Sequence, residues 1–228
     1  MTTDLREPDH QADRESVHLL PQTKWLRSLH TIIRDRHADR ERFVTNASRV
    51  IRQLVESGLE QLPFEQSDVL TPVGETYRGL GITPRICGVS IARAGESMES
   101  ELRAISPGIR IGKILIQRDK ETKLPHLYYS ALPEDIGERH VLLLDPTLAT
   151  GGTALTAIGV LLDQGVPEEH IVFVNVLSSP EGIEVVHRSH PGVRIVTSSI
   201  EEGLNENAYM RPGIGDFGDR YFGTDAVR

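Results

Sequence analysis

An acid at the end of an apolar run, followed by a proline, hydroxyl residues and two glycines, can do a specific kind of chemistry. The stretch is HVLLLDPTLATGGTA, residues 140 to 154. Asp145 offers an acceptor pair suited to sugar hydroxyls. Ala149, Thr150, Gly151, Gly152 and Thr153 turn into a helix that begins near Ala154; glycines allow close backbone approach and a helix amino end attracts phosphate. Thr150 and Thr153 add hydroxyl donors, so the loop suits a monophosphate carried on a sugar. An ordinary strand-to-helix turn with a glycine cap explains the two glycines equally well. The loop is neither G-x-x-x-x-G-K-[ST] nor G-x-G-x-x-G, which counts against ATP hydrolysis and dinucleotide binding.

Two arginines stand where an anion would need them. Arg93 follows the apolar run ICGVSIA directly and Arg118 follows IGKILIQ directly. At the carboxyl end of a strand, a planar guanidinium faces the ligand crevice and can bind phosphate oxygens bidentately. Either one alone is more simply a solvated charge; two at equivalent positions favour an anion. Lys113, mid-strand, is better read as an edge or snorkelling lysine. Near the carboxy terminus, PGIGDFGDR (residues 212 to 220) has too many glycines for regular structure. It is a solvent loop or a backbone cradle; the acid spacing of an EF-hand is missing. Cys87 lies inside an apolar run and is read as a small buried hydrophobe. His187 and His190 form an H-x-x-H with no third ligand in view and are read as surface residues.

These side chains need a scaffold, and the hydrophobic pattern supplies one. Residues 24 to 35 and 39 to 57 carry apolar side chains at helical spacing, the second ending at Gly58. Beyond Pro84, short apolar runs alternate with helical stretches: ICGVSIA, ESMESELRA, IRIGKILIQ, HVLLLD, TALTAIGVLLDQG, HIVFVNVL, a short helix, and VRIVTSSI. Continuous apolar strands separated by helices predict an α/β fold, a parallel sheet covered on both faces, with ligands at the carboxyl ends of its strands. Pro146 is expected to stop the strand ladder. Residues 119 to 135 are polar, with two prolines and two adjacent tyrosines, and are expected to form a protruding hairpin arm or flap. Residues 1 to 16 are charged, with little to bury, and are expected to be a flexible tail ahead of one domain over 17 to 228.

Composition narrows the partners. The chain has 228 residues, 38% of them hydrophobic, and a formal net charge of -8. No global basic field exists to hold nucleic acid, so an anionic ligand must be met by local cations. One cysteine allows no intrachain disulfide, no apolar run approaches a membrane span, and the polar start lacks a signal-peptide core. A soluble, cytoplasmic protein is expected, with no membrane partner.

The loop from Asp145 to Thr153 resembles the phosphoribosyl diphosphate (PRPP) loop of uracil phosphoribosyltransferases, in which proline follows the first acid. Thr153 keeps a hydroxyl where serine is common, while Thr147 stands where methionine is common. The resemblance extends to Leu20-Pro21-Gln22-Thr23, to residues 89 to 98 and 113 to 119, and to the long segment from Tyr209 to Thr224, which is similar to Y-x-x-P-G-x-G-D-x-G-D-R-x-F-G-T. It covers the chain from about residue 17 onward, in the eukaryotic style, and implies a type I phosphoribosyltransferase fold.

The implied activity is transfer of the 5-phosphoribosyl group of PRPP to N1 of uracil, giving UMP and diphosphate in pyrimidine salvage. The implied PRPP contacts are Arg93, Arg118, Asp145, Pro146, Thr147, Leu148, Ala149, Thr150, Gly151, Gly152, Thr153 and Asp216, with Arg93 and Arg118 holding the pyrophosphate. Arg93, Arg118, Asp145 and Asp216 are the implied catalytic set. Uracil would lie against Met210, Gly215, Asp216 and Phe217, read mainly by backbone groups in a segment spanning about 203 to 224. Mg²⁺ would arrive with PRPP and water rather than in a protein-only metal site. A homodimer or homotetramer is expected, and GTP binding, known among eukaryotic relatives, carries over without any assigned residue. A non-catalytic PRPP- or nucleotide-sensing regulator of the same fold is the alternative. Orotate enzymes would want an extra cation, and purine enzymes keep a second acid where this chain has Pro146.

Overall fold

The computed structural model describes residues 16–118 and 125–224. An eight-stranded sheet forms its centre, in the order β1 (Val17–Leu19), β10 (Arg194–Ile200), β9 (Ile171–Ser178), β7 (His140–Leu144), β4 (Ile86–Ala92), β5 (Arg110–Arg118) and β6 (Pro125–Ala131), with β8 (Thr147–Leu148) also on β9. All these pairings are parallel except β5 with β6.

The apolar runs are continuous because both faces of the sheet are covered. In β9, Val172, Val174 and Val176 face one cluster while Ile171 and Phe173 face the other; in β7, Leu142 and Leu144 oppose Val141 and Leu143. The period of two thus survives inside an unbroken apolar string. On the first face pack α1 (Lys24–Arg34), α2 (Arg40–Glu60) and α3 (Glu99–Ile105), through Leu26, Leu29, Phe43, Val50, Leu54 and Leu102. On the second lie α4 (Gly152–Asp163) and α5 (Pro180–Ser189), through Ala157, Ile158, Leu161 and Val186. Thr23 caps α1 by accepting from the Leu26 N–H at 3.1 Å, and Asp39 caps α2 by accepting from Arg42 at 2.7 Å. The final helix, α6, spans Phe217–Phe222, so the second half of the 212–220 segment, expected to lack regular structure, is helical, with Asp216 capping it by accepting from the Asp219 N–H.

Three expectations are corrected. Gly58 does not end α2, which runs on to Glu60; a Cβ there would sit 3.0 Å from Val174 Cγ2, so the glycine permits close packing of helix on sheet. Pro146 interrupts the ladder without stopping it. Its carbonyl accepts from the N–H groups of Val176 and Leu177, and the chain rejoins β9 at once through Thr147 and Leu148. Lys113 lies on an inner strand and not at an edge; its ammonium pairs with Glu96 at 2.5 Å and Glu99 at 3.3 Å while its side chain stays 44% exposed, as that of a snorkelling lysine does. Cys87 is buried, as its apolar neighbours predict.

Residues 125–131 form an edge strand antiparallel to β5, with Tyr128 and Tyr129 exposed, whereas 119–124 lie outside the described residues. A second hairpin projects where no arm is expected, β2 (Phe64–Leu70) against β3 (Thr76–Ile82), closed by a turn in which Gly74 takes a φ of 85°. Two seven-residue runs flanking a proline- and glycine-bearing turn were its sequence signal. Of the segment 1–16 read as a tail, residues 1–15 also lie outside the described residues, while the Ser16 carbonyl accepts from the Ile195 N–H at 2.8 Å.

Candidate functional site

The carboxyl ends of the adjacent strands β4 and β7 open onto a cleft of ≈ 660 Å³, lined from three sides. Ile91, Ala92, Arg93 and Ala94 come from the end of β4. Asp145, Thr147, Ala149 and Thr153 come from the loop after β7. Met210, Pro212, Ile214, Gly215, Asp216, Phe217 and Gly218 come from the carboxy-terminal segment. A volume of this order suits a ligand of nucleotide size.

The glycine-rich loop is held from behind. The Ser179 N–H donates to the Leu148 carbonyl at 2.8 Å, and the Ser179 hydroxyl donates to the Ala149 carbonyl at 2.5 Å. Those two carbonyls are therefore engaged toward α5. Gly182 permits the approach, because a Cβ on it would lie 2.4 Å from the Ala149 carbonyl oxygen. Gly151 precedes α4 with φ 81°, a left-handed conformation that favours glycine. Thr147, Ala149 and Thr153 face the cleft, while Leu148 is buried in the core and can offer a ligand only main chain. Pro146, Thr150, Gly151 and Gly152 belong to the same loop but are not among the residues lining the cleft.

Asp145 is buried, its Oδ1 accepting a long 3.4 Å bond from the Thr147 N–H. Burial pushes its carboxyl up to about 7, and the nearby charge of Asp216 pushes the same way against the Thr147 bond. Asp216 caps α6, accepting from the Asp219 N–H at 2.9 Å.

Because the folded value of Asp145 is raised, its contribution to stability is present below the ordinary carboxylate value and is lost as pH rises to about 7. One pKa unit corresponds to about 1.4 kcal/mol. Asp145→Asn should therefore raise the thermal midpoint at pH 8, and the advantage should shrink as pH falls from 7 to 4. Melting curves of both proteins across that window check this; a pH-independent difference would contradict it.

Arg93 lines the cleft and is tethered by the last helix. Its guanidinium donates to Asp219 Oδ1 at 2.7 Å and to the Thr224 hydroxyl at 2.6 Å, and it lies 5.8 Å from the Phe222 ring. The Thr224 hydroxyl and Arg93 hold the Asp219 carboxyl below the usual range. Sequence reasoning missed this tether, since 126 residues separate the pair. Arg118 ends β5 opposite Pro125, and its side chain lies outside the described part of the structure.

The residues expected to face a base, Met210, Gly215, Asp216 and Phe217, all line the same cleft. Asn207 and Ala208, which join them, carried no recognisable sequence signal; Ala208 adopts φ 60° in the turn closed by Asn205. The histidines of the H-x-x-H motif stand elsewhere: His187 contacts the Ser16 hydroxyl and His190 pairs with Glu168.

The cleft thus unites a phosphate-type loop, an acid, an arginine and a glycine-rich wall. The uracil phosphoribosyltransferase family profile matches residues 20–224, nearly the whole described chain. The chain belongs to the uracil phosphoribosyltransferase family. It is 54% identical over 211 residues to the uracil phosphoribosyltransferase of Dictyostelium discoideum, covering 92% of this chain and 98% of that protein. The Saccharomyces cerevisiae uracil phosphoribosyltransferase is 54% identical over 208 residues, covering 91% and 96%. Among solved structures, the AQ2163 protein of Aquifex aeolicus superposes with a TM-score of 0.80 at 29% identity, covering 93% of this chain and 100% of that one.

The acids at the cleft, Asp145 and Asp216, are oxygen donors of the kind that suit Mg²⁺. Among the described residues no cluster of three or more potential metal-binding side chains occurs, and no helix is long and apolar enough to cross a membrane.

Proposed function

We propose that this chain transfers the 5-phosphoribosyl group of PRPP to N1 of uracil, releasing UMP and diphosphate in pyrimidine salvage. One observation carries the reading: Thr147, Ala149 and Thr153 of the glycine-rich loop, Asp145, Arg93, and Met210, Pro212 and Ile214 to Phe217 of the carboxy-terminal wall line a single cleft. The loop from Asp145 to Thr153 would hold the 5-phosphate and ribose. Breaking the bond between C1 of the ribose and the diphosphate builds positive charge on the sugar and negative charge on the leaving group. Asp145 stands by the first, while Arg93 and Arg118 would meet the second. Main-chain groups of Met210, Gly215, Asp216 and Phe217 would match the carbonyl and N–H edge of uracil, which carries no charge. Bound Mg²⁺ would neutralise diphosphate charge, and Asp145 and Asp216 would hold it, directly or through water.

A homo-oligomer in the cytoplasm completes the proposal. Its support is the β2–β3 hairpin, whose Leu70, Val73, Tyr77 and Leu80 side chains are exposed. An isolated two-stranded hairpin is marginally stable in water, and packing against a second copy would cover this apolar surface. Full-length protein incubated with uracil, PRPP and Mg²⁺ should form UMP and sediment above monomer mass, with GTP added in a parallel assay. PRPP binding without UMP formation would overturn the catalytic reading and favour a sensor.

A further inference from the structure

The wall formed by Pro212, Ile214 and Gly215 is held in place by an ion pair that never reaches the cleft. Between the first two residues lies Gly213, whose N–H donates to Glu201 Oε2 at 2.7 Å and whose carbonyl accepts from Arg34 Nη1 at 3.0 Å. Arg34 and Glu201 are joined at two points, Nη1 to Oε2 at 2.8 Å and Nη2 to Oε1 at 2.6 Å. The Ser199 hydroxyl accepts from Arg34 and donates to Glu201, both at 3.0 Å. One planar fork and one carboxylate thus take up both main-chain polar groups of a single residue.

Gly213 cannot easily find another place. Its φ is 68°, and a Cβ on it would fall 2.2 Å from the Met210 carbonyl oxygen. The next carbonyl, that of Ile214, accepts from Arg220 at 2.8 Å. Arg220 also donates to the Ile33 and Asp35 carbonyls at the end of α1 and lies 4.2 Å from the Phe43 ring centre. The wall is therefore bolted to α1 at two successive residues.

Stability alone is a weak reason for such a pair. The Glu201 side chain is 1% exposed, and burying an ion pair gives little net gain over apolar residues of similar size. Burial by itself would push the Glu201 carboxyl up; Arg34 and the Gly213 N–H outweigh it and hold it below the usual range.

We infer that Arg34 and Glu201 are positioning residues for the nucleobase half of the reaction, fixing the main chain of the uracil-facing wall through Gly213. Neither side chain bonds the glycine-rich loop or Arg93, so the phosphoribosyl half, which draws on this wall only through Asp216, should depend on them far less than the nucleobase half. The inference rests on the reading of residues 210–217 as the uracil segment.

The test measures KM for uracil and for PRPP separately, with thermal midpoints, in E201Q, R34K and the double variant R34M/E201L. In E201Q a slack wall should raise KM for uracil on the order of 10-fold, since displacement by about an ångström costs up to 10²-fold. KM for PRPP should stay within about twofold of wild type, because the loop at 145–153 is untouched. R34K keeps the charge but loses the fork, and should fall between E201Q and wild type. Leaving Arg34 opposite a neutral partner can unfold E201Q, whereas apolar replacement of both partners is commonly tolerated. R34M/E201L should therefore melt no lower than E201Q and still show the raised KM for uracil. Unchanged KM for uracil in folded variants, or equal rises for both substrates, would overturn the inference. If wild-type protein turns over PRPP with no saturable dependence on uracil, the reading of 210–217 fails first, which the wild-type control reports by itself.

Discussion

Asp145→Asn should lower kcat/KM for PRPP on the order of 10² to 10³-fold, the scale seen when one electrostatic stabiliser of a transition state is removed. The substitution keeps the shape of the side chain, removes the charge and replaces one acceptor oxygen with a donor NH₂. In the proposed reaction positive charge grows on the ribose ring as the diphosphate departs, and Asp145 is the buried acid where the glycine-rich loop meets β7. The free protein holds this carboxyl at about 7 because burial disfavours its ionised form. Sugar hydroxyls donating to it would favour ionisation on binding. The same variant should be more heat-stable at pH 8, so activity and stability would move in opposite directions. Initial rates of UMP formation check the kinetic half. Activity within about threefold of wild type would remove Asp145 from the chemistry.

Gly95→Ala should be nearly as damaging, although Gly95 carries no functional group. A Cβ at this position would lie 2.2 Å from the Leu144 carbonyl oxygen and 3.2 Å from the Leu144 carbonyl carbon. Backbone, unlike the tip of a flexible side chain, cannot swing aside. Leu144 is the last residue of β7 and leads directly into Asp145, while Gly95 lies two residues beyond Arg93. An added methyl group would therefore push apart two walls of the cleft. Overpacking of this kind costs about 1–3 kcal/mol of stability. The accompanying misplacement should reduce turnover on the order of 10²-fold. Gly159→Ala in α4 is the control, since a Cβ there meets nothing within 4 Å. It should be stabilising by roughly 0.5–1 kcal/mol through backbone entropy. Thermal melts and initial rates on both variants check the contrast; equal behaviour would rule out the steric account.

Much of the scaffold was legible because its signals are local. Runs such as HVLLL and IVFVNVL declare strands buried on both faces, and DPTLATGGT declares a strand-to-helix turn with bare backbone. The carboxy-terminal wall was readable only through the family resemblance of residues 209 to 224, since its density of glycine alone left a solvent loop and a backbone cradle equally open. Less legible was the β2–β3 hairpin, whose residues are mostly exposed and so show no burial period. Gly58 misled for the opposite reason. A helix stop and a close-packing site both ask for glycine, and only the presence of Val174 against it distinguishes them.

The sequence by itself determined the alternation of strands and helices, the loop chemistry and the family, because each depends on residues near one another along the chain. Tertiary structure decided the rest: that burial pushes the Asp145 carboxyl up to about 7, that Asp219 tethers Arg93, and that Arg34 grips Gly213. Arg34 and Glu201 are 167 residues apart, and nothing local in either neighbourhood names the other. A carboxyl's protonation and an arginine's partner are set by how much water is excluded and which charges remain nearby, and those quantities exist only after the chain has packed.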